Sequence, residues 1–233
     1  MNTDPSTTVA ALLGDLAVQM QSESDSQALL KIIVGAGVHI MPGISWAGIS
    51  LVRGKSVTSE APSDDVARDL DRLQSDLGEG PAISALADER TIAIPNLERE
   101  ARWPRFVAAA TDRGVRCMLS FRLFVDRGAL GTLNLYGPDP DMFTEESLAI
   151  GEILAQHAAV AMAGAAAEEG AQAALASRDM IGQAKGILMH RDGLTGLQAF
   201  ALLSRASQDA NVKLVDVARL VVTEFEKRLP RKI

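Results

Sequence analysis

The chain has 233 residues, 47% of them hydrophobic, and a formal net charge of −7 at pH 7. This composition supports a folded core, and the length allows one large domain or two small ones. The single cysteine, Cys117, excludes an intramolecular disulfide framework and a metal site built from several cysteines. The N-terminus has neither a basic segment nor a long apolar run, so we expect no signal peptide, no membrane-spanning segment and a cytoplasmic protein.

The charge is unevenly distributed along the chain. Residues 172–233 carry ten lysines and arginines against six aspartates and glutamates, a net of +4, whereas the remainder has a net of −11. An acidic body with a basic end is expected to present only that end to a polyanion. A surplus of this size also occurs on ordinary solvated surfaces, so charge alone does not identify the partner.

Residues 1–143 predict an α+β domain. Helical spacing of apolar residues and strand-like alternation follow one another without long gaps. Ser26 is the expected cap of the second helix. The predicted helices are Val9–Met20, Ser26–Val38, Asp64–Leu77, Ala82–Ala87 and Pro104–Arg113, and the predicted strands are Trp46–Arg53, Ser56–Ser59, Thr91–Ile94, Met118–Val125 and Ala129–Tyr136. The last two strands form the clearest hairpin, joined across Asp126-Arg127-Gly128. We therefore expect an antiparallel sheet of five or six strands with helices around it.

A different pattern begins at Thr144. The sequence T-x-x-S with acidic residues in the first turn starts a helix, and no proline follows until Pro230. We predict one long helix over Glu145–Arg191. Its alanine-rich middle has an interrupted heptad pattern, which predicts a short, imperfect coiled coil within residues 144–176 and a register change near Ala166–Gly170. A coiled coil in turn predicts a homodimer.

The C-terminal residues 177–233 predict a small three-helix bundle. Gly193 stops the long helix, and Thr195 opens the next one with a T-x-x-Q capping box. A turn at Asn211-Val212-Lys213 leads to a third helix over Leu214–Leu229. In that helix we expect four apolar residues to be buried: Val217, Leu220, Val221 and Phe225.

The first helix of this bundle carries residues suited to nucleic acid. Gln183 and Lys185 can contact bases and phosphates, although periodicity alone favours ordinary polar residues on an amphipathic helix. Arg191, Arg205 and Lys213 are expected near the helix junctions.

Residues 177–233 resemble an ANTAR domain, the RNA-binding module of bacterial transcription antiterminators. The segments IGQAKGILM, AFALL and KLVDVA carry the resemblance over about 50 residues. The resemblance implies a dimer that binds paired stem-loops in nascent RNA and stabilises an antiterminator, without catalysis. It implies six candidate RNA contacts: Gln183, Lys185, Gly186, Arg191, Arg205 and Lys213.

The first 143 residues resemble a GAF domain, on the segments LGEGPAISAL, ARWPRF and GALGTLNLYG. GAF domains are sensory modules that often hold a small ligand between sheet and helices, so the resemblance implies a small-molecule signal; which residues would bind it is unknown. Related sequences often have a cysteine after the loop's Gly-Pro, where this chain has Ala82. This residue argues against a thiol switch at that loop.

Together these patterns predict a cytoplasmic regulator in which a GAF part senses, the long helix transmits and an ANTAR part binds RNA. One alternative is a DNA-binding regulator, since a three-helix bundle can mimic a helix-turn-helix. Another is an enzyme, because some GAF-fold proteins reduce free methionine sulfoxide; that chemistry needs a resolving thiol, which a single Cys117 does not provide. The histidines His39, His157 and His190 lack metal-ligand spacing, so we expect no metal and no cofactor.

Overall fold

The computed structural model describes residues 5–84, 89–124 and 130–227, with the side chains of residues 5–13, 84, 124 and 130 left aside. The chain forms two compact units, Met1–Ala165 and Ala166–Ile233. The division falls inside one helix, so the two units share a continuous element rather than a loop.

The centre of the first unit is an antiparallel sheet of five strands. These are β1 (Trp46–Arg53), β2 (Ser56–Pro62), β3 (Thr91–Ile94), β4 (Cys117–Phe124) and β5 (Leu130–Gly137), in the spatial order β2-β1-β5-β4-β3. The predicted sheet and its hairpin are confirmed: β4 and β5 pair from Cys117 with Gly137 to Phe124 with Leu130. The turn predicted at Asp126-Arg127-Gly128 lies outside the described residues.

Helices cover both faces of this sheet. They are α1 (Pro5–Ser22), α2 (Ser26–Ile40), α3 (Asp65–Leu77), α4 (Pro81–Ser84) and α5 (Pro104–Asp112), and a 3₁₀ turn lies at Leu97–Arg99. The predicted cap of α2 was wrong by one residue: Asp25, in extended conformation, accepts from the backbone N–H of Gln27 and so satisfies a free donor of the first turn. The end of the helix predicted over Ala82–Ala87 lies outside the described residues.

The alternation of strand residues creates two separate hydrophobic cores. On one face α2 and the start of the long helix cover Ala47 and Ile49 of β1. On the other face α3 and α5 cover Val52, Met118 and Tyr136. Successive side chains of a strand point to opposite faces, so the two layers can serve different purposes. The second layer also contains most of the buried polar residues, among them Asp71 and Asn134.

The long helix, α6 (Glu145–Asp192), begins in the first unit and ends in the second. The predicted start is confirmed, since Thr144 and Ser147 exchange side-chain to backbone hydrogen bonds of 3.2 Å. By length and composition alone α6 could cross a membrane, with an 18-residue window of mean hydropathy 1.4. The apolar side chains of its first turns, including Leu154 and Ala158, are instead buried in the first unit's core.

The second unit is made of the end of α6 together with α7 (Gly196–Ala210) and α8 (Leu214–Lys227). The predicted stop and start are confirmed: Gly193 has φ +65°, and Thr195 and Gln198 form the reciprocal capping box. Among the described residues of this unit, each helix contributes two buried residues to the core: Ala184, Leu188, Ala199, Leu203, Ala218 and Val222.

The predicted buried face of α8 was wrong in part. Leu220 is 65% exposed, and Ala218 and Val222 are buried in its place, with Val217 and Val221 packed at the edge of the core. The apolar residues of α8 run almost continuously from Leu214 to Val222, so the sequence allows several registers. Packing against α6 and α7 selects the one that buries Ala218 and Val222.

Candidate nucleic-acid interface

A surface groove lies between the last third of α6 and the start of α7 in the second unit. It is lined by Ala174, Ser177, Arg178, Asp179, Ile181, Gly182, Gln183, Lys185 and Phe200. Arg178, Gly182 and Lys185 are spaced by four and three residues, which places them along one side of a helix. The groove therefore brings together two of the six predicted RNA contacts, Gln183 and Lys185.

Lys185 extends across the groove from α6 towards α7. Its ammonium lies 6.0 Å from the centroid of the Phe200 ring, at the outer limit of cation–π attraction. The same nitrogen would lie 3.9 Å from a Cβ atom at Gly196, the first residue of α7. Among the described residues no carboxylate forms an ion pair with Lys185, which leaves its charge available to an anion.

The other four predicted contacts are exposed but do not line this groove. Arg191, at the C-terminal end of α6, forms two hydrogen bonds of 2.7 Å with the carboxylate of its neighbour Asp192. This pairing raises the pKa of Arg191, lowers the pKa of Asp192 and partly neutralises the guanidinium. Arg205 lies within α7, and Lys213 precedes α8, where its carbonyl accepts from the N–H groups of Asp216 and Val217.

Three groove residues were missed by sequence reasoning: Arg178, Asp179 and Phe200. The spacing of Arg178 and Lys185 on one helical face was a usable signal. Phe200 offered a weaker one, because it follows the buried Ala199 and so lies off the core-facing stripe of α7. Only the packing of α7 on α6 brings it to the groove.

A second group of polar residues lies in the first unit, between the sheet and α3. Asn134 is at its centre: its side chain accepts from Ser120 at 2.8 Å and donates to Thr132 at 3.2 Å and Ser50 at 3.4 Å. Asp71 of α3 is 1% exposed. We call these residues, together with Ser59 and Tyr136, the buried polar cluster.

Asp71 is the unusual member of the buried polar cluster. Neither oxygen of its carboxyl group has a hydrogen-bond partner within the described part of the chain, and the same holds for the Tyr136 hydroxyl. Burial raises the pKa of Asp71 from 3.8 to about 6, and hydrogen bonding by the nearby Ser50 and Ser59 hydroxyls opposes this rise. These two hydroxyls lie outside ordinary hydrogen-bond geometry with the carboxyl oxygens, so they compensate only part of the cost of burial. Burial and the nearby Asp71 also raise the pKa of Tyr136. A buried ionisable group without a partner is a candidate ligand-contacting group.

Glu79 links two sequence motifs of the first unit, LGEG and WPRF, by hydrogen bonds. Its carboxylate accepts from the backbone N–H groups of Arg105 at 2.6 Å and Phe106 at 2.9 Å, and from the Arg105 side chain at 3.2 Å. It thus caps the start of α5, where Trp103 supplies no side-chain cap. These bonds, with that from Phe106 the largest effect, lower the pKa of Glu79. The segments LGEG and WPRF are therefore joined by a structural contact.

Cys117 is fully buried at the start of β4. Burial raises the pKa of its thiol to about 11, so the reactive thiolate is scarce at neutral pH. Gly137 on the paired strand leaves no room at the sulfur, since a Cβ there would lie 2.6 Å from Sγ. The thiol behaves as a small core side chain.

The first unit is an α+β domain, and α6 continues from it into a helical unit that carries the groove. The chain belongs to the GAF domain family, whose model matches residues 23–163, more than half of the chain. An ANTAR domain model matches residues 169–222. The chain therefore combines a sensory GAF domain with a C-terminal segment that matches the ANTAR domain model, the combination that the sequence predicted. No curated protein was found to match the chain.

Solved structures support the GAF fold of the first unit. A GAF domain from a phosphoenolpyruvate-protein phosphotransferase of Coxiella burnetii has a TM-score of 0.56 at 16% identity, covering 72% of this chain and 99% of that one. A free methionine-R-sulfoxide reductase from Neisseria meningitidis has a TM-score of 0.54 at 16% identity, covering 70% and 93%. The phycoerythrobilin-bound GAF domain of a cyanobacterial phytochrome has a TM-score of 0.51 at 12% identity, covering 72% and 100%. At these identities the likeness concerns the fold alone.

Proposed function

We propose that the protein is a cytoplasmic, signal-responsive transcription antitermination regulator that binds paired RNA stem-loops as a homodimer. In this proposal residues 1–143 form the sensor, residues 144–176 the connecting helix and residues 177–233 the RNA-binding domain. The sensor controls the RNA-binding domain through α6, the one element that belongs to both compact units.

The groove between α6 and α7 is the observation that carries this proposal. It combines the cations of Arg178 and Lys185 with the amide of Gln183, on the basic end of an acidic chain. Exposed loop bases of RNA can be read on their edges by amides, while lysine and arginine meet the phosphates. Arg191, Arg205, Lys213 and Gly186 are proposed as further contacts outside the groove.

RNA binding can be tested with a pool of two-hairpin RNAs whose loops are randomised. We expect the full chain to select a binding RNA, and Lys185→Ala to weaken binding and reduce the salt dependence by about one phosphate contact. Lys227→Ala is the matched control, because Lys227 is exposed and paired with Glu224 at 2.8 Å on α8. Selection of no RNA by the full chain would refute the function, and equal effects of the two substitutions would refute the site.

The DNA-binding alternative requires α8 to read base edges as a recognition helix. Asn211 adopts a left-handed conformation between α7 and α8, so the short turn between them is possible without a glycine. However, Arg219 and Lys227 on α8 are held in ion pairs with Asp216 and Glu224, each at 2.8 Å. Competition of the selected RNA with duplex DNA separates the two targets, and we expect the duplex to compete only at low salt.

The sensor input in this proposal is a small molecule held at the buried polar cluster. Asp71 and Tyr136 supply a carboxyl and a hydroxyl that lack partners among the described residues, so a ligand with hydrogen-bond donors would compensate the cost of their burial. The protein is not proposed as an enzyme. Its similarity to a reductase is one of fold, and Cys117 is a buried thiol of raised pKa with no second cysteine in the chain.

A further inference from the structure

Phe200 occupies a position in α7 that the core of the second unit does not use. Its neighbours Ala199 and Leu203 are 0% and 2% exposed, whereas Phe200 is 42% exposed. An aromatic side chain that a ligand buries contributes much to the binding free energy. A partly exposed ring beside a groove is therefore a candidate ligand contact. A single exposed apolar residue is common on protein surfaces and would not suffice alone.

The surroundings of Phe200 supply the further observations. The ring lines the same groove as Arg178, Gln183 and Lys185. Gly182 leaves the groove open, because a Cβ atom there would have no neighbour within 4 Å. The Lys185 ammonium, 6.0 Å from the ring centroid, lies close enough to serve the same ligand but too far to hold the ring strongly.

We propose that Phe200 is a stacking platform for an unpaired nucleobase of an RNA loop, with Lys185 meeting the phosphate of the stacked nucleotide. This inference rests on the proposed RNA-binding function and adds a contact type that basic residues do not provide. A base stacks on an aromatic face whatever its identity, whereas hydrogen bonds to its edge discriminate. Gln183 and Asp179 lie in the same groove and supply such groups. The Asp179 carboxylate would repel a phosphate but accept from a base amino group.

The ring and the ammonium have separable effects on binding. Loss of Lys185 removes a charge and therefore reduces the salt dependence of the affinity. Loss of the Phe200 ring removes stacking, so affinity falls while the salt dependence stays the same. Phe200→Leu retains an apolar side chain of similar reach and keeps the helix, since leucine is a good helix former. Phe200→Trp preserves a stacking surface.

The test measures binding of the full-length variants to the tightest RNA selected from the randomised two-hairpin pool. We expect Phe200→Leu to bind roughly tenfold or more weakly with an unchanged salt slope, and Phe200→Trp to bind close to the wild type. Removing one loop base while keeping its phosphate should weaken the wild type by a similar factor. Phe200→Leu should bind this abasic RNA and the intact RNA with the same affinity. The substitution and the missing base each remove the same stacking contact, so their effects do not add.

Leu202→Ala is the control, as Leu202 is 46% exposed on the same helix and does not line the groove. The stacking platform would be overturned if Phe200→Leu bound the RNA as tightly as the wild type. It would also be overturned if every abasic position weakened binding equally in both proteins. Neither outcome would affect the proposed RNA-binding function. If Phe200→Leu lowers the mass of the RNA-free protein in light scattering, the ring belongs to a protein interface instead. Failure to select any RNA would overturn the proposed function itself.

Discussion

Asp71 is a buried carboxyl group whose environment changes its ordinary chemistry. Its pKa is raised to about 6, so ionisation in the folded state costs free energy that is absent when the chain is unfolded. The carboxyl is protonated in both states below about pH 4 and ionised in both above about pH 6. Asp71 therefore lowers stability progressively as the pH rises between these values. A shift of this size corresponds to about 3 kcal/mol.

Asp71→Asn should accordingly stabilise the first unit at neutral pH. The amide stays neutral, so we expect up to about 3 kcal/mol more stability than the wild type at pH 7.5, and a much smaller difference at pH 4. Urea unfolding followed by tryptophan fluorescence measures this, because Trp46 and Trp103, the two tryptophans of the chain, both lie in the first unit. Asp69→Asn, at an exposed position of α3, is the control.

If Asp71→Asn is no more stable than the wild type at either pH, the carboxylate has a stabilising partner in the folded protein. A destabilising group retained at a buried site is typical of residues kept for function. If the first unit binds its signal through Asp71, the substitution should raise stability and abolish the response to the ligand together. That combination distinguishes a ligand contact from a residue needed only for packing.

At the scale of elements, the middle of α6 has little tertiary packing. Every residue from Ala166 to Ala176 is exposed, so the unit's cores do not stabilise this segment. A helix without tertiary contacts depends on intrinsic propensity and on partner helices. Alanine supplies the propensity, and Gly170 is the weakest position, with open space where its Cβ would be. Changes near Ala166–Gly170 should alter communication between the domains without touching an RNA contact, because no residue of that stretch lines the groove.

Gly170→Pro should interrupt α6 between the two units, at a cost of about 3 kcal/mol in the helix. If α6 holds two RNA-binding domains together, we expect binding to a two-hairpin RNA to weaken about tenfold or more, while binding to a single hairpin is unchanged. Gly170→Ala should bind at least as well as the wild type. Glu145→Pro is the matched control, because proline is tolerated at the first position of a helix. If Gly170→Pro and the wild type bind the two-hairpin RNA equally well, an intact α6 is not needed to hold the two RNA-binding domains together.

The elements themselves were predictable because their signals are local. The capping box at Thr195, the stop at Gly193 and the pairing of β4 with β5 follow from turn chemistry and alternation within a few residues. The buried face of α8 was not, since its apolar run fits several registers and only α6 and α7 select one. Phe200 and the lack of partners at Asp71 depend on contacts between distant segments. Periodicity does not encode such contacts.

At the scale of the whole molecule, charge and exposed apolar residues point to different partners. The acidic body, with a net charge of −11 outside residues 172–233, repels RNA, so the basic C-terminal unit alone is suited to it. Leu175, on the exposed stretch of α6, is 61% exposed and shares a heptad position with Leu154 and Ala161. Leu154 and Ala161 are covered within the first unit, whereas Leu175 has no such cover among the described residues. In the proposed homodimer, a second copy of α6 would bury it.

Leu175→Glu should therefore weaken the homodimer. Two glutamates would face each other at a core position of a parallel coiled coil, where burial of the charge and like-charge repulsion both oppose association. Light scattering of the full chain should give twice 24.7 kDa for the wild type and a mass closer to the monomer for the variant. Ala173→Glu adds the same charge at an exposed position on the opposite side of the helix and should leave the mass unchanged.

A wild type that is monomeric alone and doubles in mass only with two-hairpin RNA would mean that RNA drives dimerisation. In that case Leu175→Glu should weaken two-hairpin binding while Ala173→Glu does not, and equal effects of the two substitutions would exclude Leu175 from the interface.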